Sequence, residues 1–130
     1  MKTTLSMIQR YHLMEILPKN DNLSLARIWD SLIVKKLSPR EEEFKEFGIL
    51  ILPNGGVQLG RTGKKDANDN EIIDSDAVKK SLEEREMEFS EKEVDIIKLS
   101  LKRVDKEKKV TAALIPLYDK FLGVDYDGGD

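Results

Sequence analysis

Leu25, Ile28, Trp29, Leu32, Ile33 and Leu37 recur at helical spacing within a polar stretch, and this stripe constrains the chain more than any other feature. Residues on one stripe at that period require an amphipathic helix with a core to face, and Asn22 or Ser24 is placed to cap its start. The end is set by the next four residues. Ser38 caps a new helix, Pro39 takes its first position where a missing N–H costs nothing, and Glu41 closes a capping box. That short helix carries Phe44 and Phe47 inward and stops before Gly48. There the period changes: residues 49–52 and 57–59 read as two short strands around Pro53-Asn54-Gly55-Gly56. A lone hairpin is marginal, so a third strand is expected, with Met87-Glu88-Phe89 to supply it.

The remaining segments follow the same logic. A first helix is expected over Leu5 to Ile16 with Leu5, Ile8, His12 and Ile16 on one face, broken by Leu17 to Asn22 around Pro18. Gly60 to Glu71 holds Gly, Lys, Asp and Asn with almost nothing apolar, so 60–74 is expected to be a mobile loop. Asp74 or Ser75 opens a helix through Val78 and Leu82. Ser90-Glu91-Lys92-Glu93 is a second capping box, followed by a stripe of Val94, Ile97, Leu101 and Val104 that Ile96 widens. After a charged break at Asp105 to Lys109 comes a last helix. Thr111 caps it, Val110 staples onto Ile115, and Pro116 makes the first turn irregular. Leu117 or Tyr118, Phe121 and Leu122 face inward, and Gly123 ends it. These elements predict an α+β fold: one mostly helical domain over 1–123 with about five helices and a small hairpin or three-stranded sheet, then an acidic frayed tail at 124–130.

The chemical inventory is thin. The chain has one histidine, His12, and no cysteine, which removes thiolate metal sites, cysteine nucleophiles and histidine dyads together. Acid–base chemistry would have to come from the carboxylate pairs Glu41/Glu42, Glu83/Glu84 and Glu91/Glu93. Capping and solvated helix faces already account for these. Residues 66–71 alternate oxygen side chains like a calcium loop, but Glu71 stands where the turn needs glycine and Ala77 where a bidentate glutamate belongs. Gly55, Gly56, Gly60 and Gly63 with Lys64 and Lys65 lack phosphate-loop spacing. No catalytic, cofactor or metal residue is therefore assigned, and no enzymatic activity is expected.

Trp29 reads as core, with an interface anchor as the alternative. The order helix, helix, short helix, hairpin also suits a winged helix. Its recognition helix would present Glu41, Glu42, Glu43 and Glu46, which repel a phosphate backbone. With 22 basic against 25 acidic residues and a net charge of −3, nucleic acid is a poor partner. No apolar run approaches the roughly 18 residues of a membrane span, so a soluble, non-membrane chain is expected.

Three stretches carry a resemblance: residues 17–23, reading Leu-Pro-Lys-Asn-Asp-Asn-Leu; Arg27-Ile28; and the run from Glu86 to Leu122. Together they resemble small uncharacterised proteins encoded by tailed bacteriophages and prophages. The likeness covers the two ends of the chain, and Gly48 to Asp74 looks like an insertion into that pattern. It implies no functional residues. What it implies is a setting, a phage accessory protein in the cytoplasm of a bacterial host cell, binding a host or phage protein. A structural or assembly role with homo-oligomer formation is the second expectation, and winged-helix-like nucleic-acid binding the third.

Overall fold

The computed structural model describes residues 1–17 and 22–126. In chain order the elements are β1 (Lys2–Leu5), α1 (Met7–Ile16), α2 (Leu23–Trp29) running into a π-helical segment (Asp30–Leu37), α3 (Glu41–Glu46), β2 (Leu50–Ile51), β3 (Val57–Gln58), β4 (Arg61–Lys65), β5 (Glu71–Ile73), α4 (Ser75–Leu82), β6 (Arg85–Glu88), α5 (Glu91–Lys106), a 3-10 turn (Ala112–Leu114) and α6 (Ile115–Phe121). The fold is α+β and mostly helical, a single domain whose strands form small antiparallel pairs. Its contacts fall into two compact units, Met1–Ser38 with Arg85–Asp130, and Pro39–Glu84.

The first unit holds the main core. Leu5, Leu13, Leu32, Leu37, Phe89, Ile97, Leu101 and Leu117 are essentially sealed from solvent, and Phe89 meets Phe121 edge-on with ring centroids 5.8 Å apart. Trp29 is half-buried and packs against the edge of this cluster. β1 pairs with β6 in antiparallel register from Lys2↔Glu88 to Leu5↔Arg85, so the strand expected at Met87 exists but joins the first residues of the chain. It does not extend the hairpin. Leu5 is accordingly in a strand, and α1 begins after Ser6, whose hydroxyl accepts the Gln9 N–H while Gln9 Oε1 accepts the Ser6 N–H. The sealed face of α1 is Met7, Arg10 and Leu13, not the expected Ile8, His12 and Ile16, which are half-buried. The expected break at Leu17 to Asn22 falls largely outside the described residues.

Arg10 explains that rotation. Only 6% exposed, it donates from Nε to Leu37 O (3.0 Å) and from Nη2 to Ser38 O (2.9 Å) and Lys36 O (3.4 Å). A buried cation thus satisfies the orphan carbonyls at the end of the π-helical segment, where the helix dipole also favours it. At the other end of the unit, α5 opens on the predicted Ser90–Glu93 capping box and runs to Lys106, through the first part of the expected charged break. It closes in a Schellman turn: Lys109 N–H donates to Val104 O and Lys108 N–H to Asp105 O. Lys108 holds the left-handed position at φ 58°. The irregular turn foreseen at Pro116 is the 3-10 turn preceding α6. The tail beyond Tyr126 lies outside the described residues.

In the second unit α3 starts two residues later than predicted. Arg40 is its N-cap, and the box is closed by Glu43, whose carboxylate accepts the Arg40 N–H at 3.0 Å. Gly48, at φ 58°, ends it in another Schellman turn with Ile49 N–H on Phe44 O. The expected strands shrink to β2 and β3, paired Leu50↔Gln58 and Ile51↔Val57. Residues 60–74, expected as a mobile loop, form the β4–β5 hairpin, held by the Arg61–Glu71 ion pair and by Thr62 Oγ1 donating to Ile72 O at 2.7 Å. Gly60 joins the two hairpins: its N–H donates to Phe47 O and its carbonyl accepts the Asp74 N–H, both at 2.8 Å.

Candidate functional site

The winding of the π-helical segment creates a buried polar cluster that links distant parts of the chain. Ser38 N–H reaches back five residues to Ile33 O at 2.9 Å, so residues five apart stack on one face. In an α-helix five residues would turn Ser31 and Lys36 about 140° apart. Here both reach Glu93. Ser31 Oγ donates to Glu93 Oε2 at 2.6 Å, and Lys36 Nζ donates to Glu93 Oε1 at 2.5 Å. The Ser90 N–H adds a third bond to Oε1 at 2.7 Å, which is the capping box itself. Lys36 also donates to Glu88 O at 3.1 Å and lies 5.7 Å from the centre of the Phe89 ring.

Burial pushes the Glu93 carboxyl upward, but the bonds from Lys36, Ser31 and Ser90 outweigh it and hold the group at about 2. A base that weak, with both oxygens occupied, does not abstract protons near neutrality. Beside it opens a cleft of about 570 Å³ lined by Leu23, Arg27, Ile28 and Lys92 among others, with the Glu93 carboxylate turned to its own partners. The cluster is a clamp between the π-helical segment and the start of α5.

The structure scatters the other candidates named from sequence. Glu41, Glu42, Glu83, Glu84 and Glu91 are exposed, so of the three carboxylate pairs only Glu93 is sealed. His12 is half-buried, and its Nδ1 is enclosed without a hydrogen bond. Asp66, first in the calcium-like stretch, spends Oδ1 on the N–H groups of Asn68 and Asn70, an Asx turn that lets the hairpin reverse. Asp69 pairs with Lys65 at 3.5 Å and takes the left-handed conformation at φ 64°. The Arg61 guanidinium beside Glu71 holds that carboxyl below the usual range. Among the described residues no group of three or more His, Asp or Glu side chains converges to hold a metal ion.

What sequence reasoning did not find is apolar surface. On β2, Leu50 and Ile51 are 39% and 54% exposed; on β5, Ile72 and Ile73 are 45% and 51% exposed. Adjacent residues of a strand point to opposite faces, so neither face of these ribbons is the usual polar one. No protein-family model, no curated protein and no solved structure matches the chain. No described helix is long and apolar enough to cross a membrane.

Proposed function

We propose that this chain is a non-enzymatic protein-binding module, an accessory protein of the bacteriophage type that binds and modulates a host or phage protein in the bacterial cytoplasm. The observation that carries the binding reading is the exposure of Leu50, Ile51, Ile72 and Ile73 on two short hairpins. Aliphatic side chains left in water on both hairpins of one small unit supply apolar surface for a protein partner. The phage setting is supported by the resemblance at the ends of the chain alone. Acid–base catalysis through Glu93 is disfavoured because its carboxylate is fully engaged.

The test is affinity capture of the tagged protein from bacterial lysate, with and without phage infection, beside an Ile51→Lys/Ile72→Lys variant whose fold is checked by circular dichroism. One stoichiometric protein retained by the wild type and lost by the variant supports the reading. Identical captures from both, or none, count against it.

Self-association is the second reading. It is favoured by β2 and β5 each pairing with a single strand, which leaves an outer edge able to pair with another copy. A solution mass of two or more chains that falls to one in the variant would support it.

A further inference from the structure

We propose that the exposed face of α5 from Leu99 to Lys106, with Lys108 in the turn beyond it, is a docking site for an acidic protein segment with an aliphatic anchor. Leu99, Lys102, Arg103 and Lys106 recur at helical spacing, so they form one line along the outer side of α5. They border a cleft of about 720 Å³ that Lys108 and the Tyr126 ring complete. Leu99 is 63% exposed there, on a helix whose inner face is sealed by Val94, Ile97, Leu101 and Val104.

The charges are one-sided. Four cations line the cleft against one carboxylate, Asp105, and that carboxylate accepts the Tyr126 hydroxyl at 3.1 Å. Arg103 donates to Ile16 O, whereas Lys102, Lys106 and Lys108 form no ion pair among the described residues. Cations in the last turn of a helix complement its dipole, which accounts for Arg103 and Lys106. It accounts for neither Lys102 nor the exposed leucine beside it.

A carboxylate-rich segment that lays an aliphatic side chain against Leu99 and Tyr126 answers both features, with charge setting approach and the apolar contact setting residence. A nucleic acid answers only the first. The site shares only the general protein-binding reading with the hairpins, and its residues belong to the other unit.

The probe is a fluorescein-labelled peptide of about twelve residues alternating Asp, Glu and Leu, titrated by fluorescence anisotropy. Controls are the same peptide with Asn and Gln, and a single-stranded DNA oligonucleotide of similar length. The expected result is saturable binding that weakens between ~50 and ~300 mM salt. It should weaken about tenfold or more in Lys102→Glu/Lys106→Glu and about threefold or more in Leu99→Gln. The Ile51→Lys/Ile72→Lys variant should bind as wild type, which separates this site from the hairpin surface. Equal binding of the amide peptide, tighter binding of the oligonucleotide, a silent Leu99→Gln, loss of binding in the hairpin variant, or no binding at ~1 mM would each overturn the proposal.

Discussion

Replacing Glu93 by Gln removes a buried charge while keeping its shape and its capping bond, because glutamine serves equally at the third position of a capping box. The side chain is 4% exposed and its carboxyl is lowered from 4.5 to about 2. At about 1.4 kcal/mol per tenfold change, that gap amounts to roughly 3 kcal/mol. Lys36 is one-third exposed and can turn partly to solvent once its partner is neutral, which trims the expected loss to about 2–3 kcal/mol. The sign is fixed by linkage. A carboxyl depressed in the folded state stabilises above its unfolded value and loses that stabilisation as pH falls from 4.5 toward 2. Urea unfolding followed by Trp29 fluorescence should therefore show wild type about 2–3 kcal/mol above the variant at pH 7. More than half of that difference should be gone at pH 3, since other carboxylates titrate alike in both proteins. A Lys36→Gln background should remove at least ~1 kcal/mol of the Glu93→Gln effect. A difference below ~0.5 kcal/mol at pH 7, or one that does not change with pH, would refute the clamp.

Arg10→Met keeps the aliphatic stem but leaves the carbonyls of Leu37 and Ser38 without their donor, and should cost about 2–4 kcal/mol in the same unfolding assay. Lys108→Gly relieves a left-handed residue at the end of α5 and should stabilise by about 0.5–1 kcal/mol, read as a rise in melting temperature. Gly60→Ala places a Cβ 2.6 Å from Val78 Cγ2 and 2.9 Å from Asp74 O at φ +73°. It should cost ~2 kcal/mol or more and raise amide exchange across β4 and β5 before β1 and β6.

The elements that could be read from sequence are those whose determinants lie within a few residues. The Ser90–Glu93 box closes inside one helical turn, Gly48 ends α3 through bonds to residues at most five away, and Pro116 marks its own irregular turn. β1 had no such mark. Lys-Thr-Thr-Leu is four residues with no turn signal, and its partner strand lies more than eighty residues on. The β4–β5 hairpin was missed for a different reason. Its register is set by the polar Arg61–Glu71 pair and by the Asx turn at Asp66, while hydrophobic alternation weighs only apolar residues. The burial of Glu93 was the least legible of all. Its partners stand 62 and 57 residues away, and they share a face only because the helix leaves the α period that any sequence stripe assumes.

That departure has a consequence for function. The same winding that gathers Ser31 and Lys36 onto Glu93 uses up the most buried of the groups the sequence offered for acid–base chemistry, and Arg10 is consumed at the end of the same segment. Among the described side chains left facing water are the aliphatic ones of the hairpins and the lysines beside Leu99 on α5. On the binding reading proposed above, charge reversal on α5 against charge insertion on the hairpins tells which of the two surfaces carries it.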